Sequence, residues 1–541
     1  MNNRKPRILI NNESHYLNSG YSKMGREILT RLVDAGKYEI IELAAYGSNH
    51  DPRSQGARWT FIGNLPDPGN QEQESAYNAD NLNQFGKFRF ESALLATKPD
   101  HVISWQDVFQ VPFLMTSPFR EFYYLNFMPT VDSRPQNIDW IAQYAQCDNV
   151  LTYTQFAYNQ LSQYENINLV GKASPAADYN IYKPLPKEKV RDFYGVDRDA
   201  LIIGMVCRNQ PRKLISDLFE CFSKYLATAP LTLSHRSYLY MHTSSPDNGF
   251  MLNELLKEFN LSSKVLFTYK CNSCNTHYPA FWQGEHAVCK RCGQYTLMMP
   301  STQFFLHDQE LAQIYNLMDV YVQFAALGGF EIPTLEAAAC GLPTFTVDFS
   351  CLEDFKNTIG SFPVRVKGFR REIETHRLYA MPDHDDFIGK LIKFLEIPEV
   401  IKNKKRFEVQ KLARQNYSWD RAAQTWMEIF DRMPLRDPRS TWYSQSRYRD
   451  PDINIPEGLD NVNFMKWSYA NVLGLPGEIG CYDYQKMLRD LNNGFIFQNK
   501  IIPIDRNSVV QNLVNRRQFI NFWESERAKM IQAELQHAQN S

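Results

Sequence analysis

GGFEIPTLEAAACGLP, residues 328–343, sets two glycines ahead of a helical run that ends in a Gly–Leu–Pro turn. Glycines in front of a helix let backbone amides approach a ligand. Glu336 is expected in the first turn of that helix, where a carboxylate can accept hydrogen bonds from a diol or simply complement the helix dipole. On either side, DQELAQIYNLMD reads as a helix, and VYVQFA and PTFTVD read as strands. The stretch is therefore the strand-to-helix turn of an α/β unit.

Working outward, the same α/β run begins at LIIGMVC and continues through KLISDLFECFSKYLA, SYLYMHTS and KVLFTYK. The strand LIIGMVC leads into CRNQPRK, where Arg208 and Lys213 stand just ahead of a helix. Such a pair can clamp a diphosphate, with the helix N-terminus adding partial positive charge, although basic residues are also ordinary in surface loops. Upstream, PRILINN, SKMGREILTRLVDAG and YEIIELAAYG form a strand–helix–strand opening, with Gly36 placed to cap the helix. HVISWQD, YYLNFMP and DNVLTYT continue as strands, with helices such as QFAYNQLSQY, until SPAADYNIYKPLPKEK breaks the alternation. The pattern predicts two parallel-sheet domains, over residues 1–180 and 195–432, with a ligand cleft between their strand ends. RDPRSTWYSQSRYRDPDINIPEG then reads as a linker into a helical extension over residues 440–541.

A chain of 541 residues is too long for one core and suggests about three domains. The formal net charge of −1 leaves any contact with nucleic acid or membrane to a local patch. A hydrophobic share of 43% excludes wholesale disorder. No apolar run approaches the ~18 residues of a membrane helix, so no membrane insertion is expected. The start, MNNRKPRILINN, reads as a first strand rather than a signal peptide. Six of the ten cysteines (Cys147, Cys207, Cys221, Cys340, Cys351 and Cys481) show no framework spacing, which favours a reducing cytoplasm. Nothing in the sequence sets the oligomeric state.

The other four cysteines lie in KCNSCNTHYPAFWQGEHAVCKRCG, residues 270–293. Cys271, Cys274, Cys289 and Cys292 have the spacing of two knuckles, and four thiolates close a tetrahedral zinc shell with no open position. A structural zinc ribbon is expected over residues 268–300, at the carboxyl end of a parallel strand and so beside the cleft mouth. Around it, Lys264, Lys270, Lys290 and Arg291 interleave with Phe267, Tyr269, Tyr278, Phe281, Trp282 and Tyr295. Basic and aromatic residues suit phosphate contact and base stacking, although aromatics also pack a small module's core. Lys290, Arg291 and Trp282 are the candidate contacts.

SGYSKMGREIL, SPAADYNIYKPL, CRNQPRK, YNLMDVYVQFAALGGFEIPTLEAAACGLP and NYSWDRAAQTWMEIF follow one another in a familiar order. Over residues 5–432 the chain resembles family 4 retaining glycosyltransferases of the GT-B architecture, of bacterial or bacteriophage type. The resemblance implies two Rossmann-like domains facing a cleft and a nucleotide-sugar donor, UDP-linked. It places Ser19 and Gly20 near the leaving phosphates, Arg208 and Lys213 on the diphosphate, and Glu336 on the ribose. Gly329, Phe330, Glu331 and Ile332 fall in the donor loop. It also implies no catalytic metal and no enzyme nucleophile.

Two departures stand out. The family pattern has a Glu where this chain has Gly328; either Glu331 supplies a carboxylate from a shifted place, or the sugar lacks the matching hydroxyl. The family's acceptor-side His is absent, and NFMPTVDSRP offers Asp132 instead. The expected acceptor is a modified base in nucleic acid, such as hydroxymethylated phage DNA. A surface glycan or protein acceptor, and a catalytically inactive GT-B binding module, are the rival readings. NFMKWSYANVLGLPGEIG faintly resembles a small helical module found beside bacterial and phage glycosyltransferases, and a helical cap on the core is the better account of it.

Overall fold

The computed structural model describes residues 4–540 apart from 246, 374, 446–453, 475–481 and 498–499. Part of the expected linker, the LPGEIG end of the module motif and Cys481 therefore lie outside the described residues.

The first sheet comprises β1 (Arg7–Glu13), β2 (Glu39–Ala45), β3 (Thr60–Gly63), β4 (His101–Ser104), β5 (Tyr124–Phe127), β6 (Asn149–Thr152) and β7 (Leu169–Lys172). Its order is β3-β2-β1-β4-β5-β6-β7, and every pairing is parallel. Runs such as RILINN are buried on both faces because helices cover each side, as parallel sheets require.

The second domain is built on β8 (Leu201–Val206), β9 (Ser237–His242), β10 (Val265–Cys271), β14 (Val320–Gln323), β15 (Thr344–Val347) and β16 (Phe362–Val364). These run in the order β10-β9-β8-β14-β15-β16. Both sheets thus reverse direction beside their first strand, at β1/β4 and at β8/β14. Doubly wound sheets bind ligands at the carboxyl ends of such switch points.

The cysteine segment adds β11 (His277–Phe281), β12 (His286–Ala287) and β13 (Leu297–Met298). It does not simply replace a loop and hang from the strand end, as its insertion point suggests. The start of β10, Val265–Phe267, pairs with β9, while Leu266–Lys270 pairs antiparallel with β11 and Lys270–Cys271 pairs with β13. One strand therefore belongs to both the domain sheet and the ribbon.

Beyond β16, a hairpin of β17 (Val366–Arg371) and β18 (Leu378–Pro382) leans on the first domain, where Ser133 Oγ donates to the Leu378 carbonyl at 2.8 Å. The amphipathic helix Trp419–Arg432 crosses back to the first domain. Its Trp426 packs on Trp105, its Asp431 accepts from the Tyr38 hydroxyl at 2.7 Å, and its Asp420 meets Arg31 at 2.6 Å.

The extension is not wholly helical. Besides helices Asn461–Ser468, Tyr482–Asn493 and Arg506–Asn540 it holds a short hairpin between the last two, β19 (Phe495–Phe497) and β20 (Lys500–Ile502), whose three-residue strands are too short to stand out in the sequence. The extension has its own core around Phe464, Leu473 and Leu513. It docks on the first domain through Trp523, Met530 and the pairs Lys98–Glu534 and Arg489–Asp139. Among the described residues, no helix is long and apolar enough to cross a membrane.

Candidate functional site

The two switch points face each other across the cleft. On the second domain's side, the helix Ile332–Ala339 follows β14. Pro333, which lacks an N–H, fits the first turn and fixes the start at Ile332. Glu336 therefore lies in the second turn rather than the expected first, and Glu331 takes the N-cap position.

Both carboxylates are buried and ion-paired. Lys213 Nζ lies 2.5 Å from Glu331 Oε1. Glu336 Oε2 accepts from the Tyr315 hydroxyl at 2.9 Å, and its Oε1 meets Lys23 Nζ at 2.5 Å. Lys23 comes from the first domain's opening helix, Gly20–Ala35, and also approaches Asp308 at 3.5 Å and the face of Tyr182. Burial alone would depress its pKa, but Glu336 and Asp308 hold it above the ordinary value.

The glycine pair is explained by close approach. A Cβ on Gly328 would lie 2.5 Å from Glu331 Oε1, so the Glu331 carboxylate fills the space where a side chain at 328 would begin. A Cβ on Gly329 would lie 2.2 Å from Thr130 Cγ2 of the opposite domain. Phe330 packs against Phe355 and Tyr417, so its ring is part of the domain's packing.

Arg208 stands differently from Lys213. It is half-exposed and pairs with Asp247 through Nε at 3.1 Å and Nη2 at 2.8 Å. Its charge reaches Glu13 in the first domain. Ser19 is the N-cap of the opening helix; its Oγ accepts from the Ser22 amide at 3.0 Å and donates to Glu13. Gly20, the next residue, lies against Ile332, with 3.9 Å between its Cβ position and Ile332 Cδ1. Two helix N-termini thus meet beside Arg208 and Lys213.

On the other side of the cleft, Asp132 is not the free polar group the sequence suggests. Arg377 of the β17–β18 hairpin binds its Oδ2 at 2.9 Å, while Oδ1 is buried with no hydrogen-bond partner among the described residues. Burial, then the Asp132 charge, pushes the neighbouring Asp107 up to about 6, against hydrogen bonds from Thr130 and Tyr21 that favour its ionised form. Asp107 follows β4 in HVISWQD, and its place beyond a strand end was its only signal. Lys23 had a better one, standing one helical turn after Ser19. Arg377 had none, because only folding brings its hairpin to the cleft.

The four ribbon thiols converge, with all Sγ atoms within 4.8 Å of one another. Cys271 and Cys292 are 3.6 Å apart, and Cys274 and Cys289 are 3.8 Å apart. Tetrahedral Zn–S bonds of about 2.3 Å require S···S separations near ~3.8 Å, so the donor set fits such an ion. Lys290 and Arg291 are exposed, Arg291 donating to Thr276 Oγ1 at 2.7 Å. Trp282 is partly buried, its ring T-shaped on Phe267 at 5.6 Å. Phe267, Tyr269 and Lys270 are buried, Lys270 pairing with Glu310 at 3.3 Å, so these three leave the expected basic–aromatic face. The ribbon touches the cleft rim where Ser245 Oγ meets Glu285 at 3.1 Å, two residues from Asp247.

Solved structures share this architecture. Sucrose-phosphate synthase from Thermosynechococcus elongatus superposes with a TM-score of 0.54 at 14% identity, over 79% of this chain and 98% of that one. Anabaena HepE in complex with UDP and glucose gives 0.54 at 13% identity, over 79% and 100%. The fold is GT-B. A glycosyltransferase from Rickettsia africae gives 0.52 at 13%, over 79% and 98%, so the GT-B likeness leaves about a fifth of this chain unmatched. The sequence itself matches no family model and no curated protein.

Proposed function

We propose that this chain is a retaining glycosyltransferase that moves a sugar from a UDP-linked donor to a hydroxyl on a modified base in nucleic acid. The observation that carries the reading is the set of opposed charges at the facing switch points: Arg208 and Lys213 beside two helix N-termini, with Glu331 and Glu336 on the same loop and helix. Cations and amides suit a diphosphate, and a buried carboxylate suits a ribose diol.

In this reading Glu336 exchanges Lys23 for the ribose hydroxyls, and Lys23 is freed to face the phosphates. Glu331, standing in the space vacated at Gly328, meets the transferred sugar. The acceptor oxygen attacks the anomeric carbon on the face from which the diphosphate departs, forming the new glycosidic bond as the bond to phosphate breaks. The acceptor proton passes to a phosphate oxygen. Fixed positive groups offset the charge growing on that leaving group, which is the largest contribution the site makes. Zinc in the ribbon is structural. A catalytically inactive binding module would have no use for this charge set, which disfavours that rival.

The test is direct. The protein is incubated with UDP-sugars and with hydroxymethylated DNA, unmodified DNA or tRNA, and the nucleic acid is digested and its nucleosides weighed. A sugar mass on one nucleoside is the expected result. A sugar gained only by a glycan or protein acceptor would overturn the nucleic-acid assignment, and no hydrolysis of any donor would overturn the transferase.

A further inference from the structure

The ribbon occupies one edge of the second sheet. The β17–β18 hairpin follows β16 at the other edge, five strand spacings of about 4.8 Å away, or roughly 24 Å. The acceptor side of the cleft lies at the hairpin edge, because Arg377 of the hairpin binds Asp132 at 2.9 Å and Asp132 acts on Asp107.

The surface around that point has an unusual composition. Phe109, 53% exposed, lies 6.1 Å from Trp140 with the rings tilted by 33°. Ile138 beside them is 75% exposed. The Arg377 guanidinium sits 5.8 Å from the Trp140 ring centre, so the aromatic platform, the hairpin and Asp132 are continuous. The hairpin's own Lys367, Arg370 and Arg371 are exposed, and no described carboxylate pairs with any of them. Arg370 lies over the Tyr379 ring and Arg371 donates to the His376 carbonyl, so both are held in place.

An exposed Phe109 ring against a partly buried Trp140, beside cations that no described carboxylate pairs with, matches a ligand with flat faces and regularly spaced negative charge. We infer that the Phe109–Trp140 platform and the β17–β18 hairpin form the track for a single-stranded nucleic acid, with bases on the rings and phosphates on Lys367, Arg370 and Arg371. The strand enters past Asp107 and Asp132, and the ribbon does not hold it. This assignment rests on the nucleic-acid reading above, but its test needs no donor and no turnover.

Binding of a fluorescently labelled single-stranded oligodeoxynucleotide is followed by anisotropy across a salt series, with donor hydrolysis measured in parallel. K367E/R370E/R371E should weaken binding at least tenfold and flatten the log–log salt slope by about two units. Phe109→Ala, at an exposed position, should cost about tenfold with the slope unchanged, since one stacked base is lost and no phosphate contact. K290E/R291E in the ribbon should leave affinity as it is. Loss of binding in the ribbon variant with none in the hairpin variant overturns the track while the nucleic-acid reading stands. Absence of oligonucleotide binding by the unaltered protein, with donor hydrolysis intact, overturns both the track and the nucleic-acid acceptor but spares the transferase. Salt-insensitive binding of a glycan that Phe109→Ala abolishes would assign the platform to sugar instead.

Discussion

Lys213→Met and Arg208→Met remove one cation each from the same proposed clamp, and the structure separates their effects. Lys213 and its partner Glu331 are both buried, with side chains 8% and 5% exposed. Breaking that pair leaves Glu331 charged without compensation, a loss of about 3–5 kcal/mol of stability. Arg208 is half-exposed, and its pair with Asp247 is screened by water, so its removal should cost less than about 1 kcal/mol. Each substitution also withdraws a fixed charge from the departing phosphate, lowering transfer by about 100-fold or more. The double variant K213M/E331Q should regain most of the stability and none of the activity, because the orphaned charge is gone but the phosphate contact is not restored. Urea unfolding and turnover on the same preparations provide the comparison. If Lys213→Met is as stable as the unaltered protein, or the double variant no more stable than the single one, the buried pair is not what holds this loop.

Three further outcomes are expected. Asp107 rises from 3.8 to about 6, so the folded state binds its proton more tightly than the unfolded one. Its contribution is then most favourable below about pH 4 and declines by at most about 3 kcal/mol as pH rises through about 6, a slope that Asp107→Asn should remove in pH-dependent unfolding. Elemental analysis should find about one zinc per chain, and a magnesium chelator should leave transfer intact; strict dependence on added magnesium would refute metal-free chemistry. Gly329→Val places atoms where Thr130 Cγ2 already stands 2.2 Å from the Cβ position, so small-angle scattering should detect opened domains and donor affinity should fall.

The tandem α/β architecture was legible because parallel strands announce themselves as apolar runs between helical periods. The cysteine spacing announced the convergence of four thiols for a different reason, since ligands that share one ion must recur at fixed separations along the chain. What could not be read is whatever depends on two distant segments meeting. Lys23 is 313 residues from Glu336, and Arg377 is 245 residues from Asp132. Gly328 looked like a missing carboxylate. Folding turns it into the room that Glu331 needs, a relation between neighbours that helix phase alone does not reveal. Glu336 itself was misplaced by a turn because the helix, with Pro333 in its first turn, already starts at Ile332, earlier than a first-turn Glu336 requires.

Without the ribbon, β10 would end its sheet and present a bare row of amides and carbonyls to any other exposed strand. The antiparallel strand β11 lies along it from Leu266 to Lys270 and becomes the outer strand in its place. Pro279 stands in the middle of β11 opposite Thr268, and a proline has no N–H to offer a further strand. The cysteine segment therefore finishes the sheet with a border that resists extension, guarding against chain-to-chain pairing. A shortened protein lacking residues 272–299 would keep every group proposed for chemistry and yet be expected to self-associate through its uncovered margin.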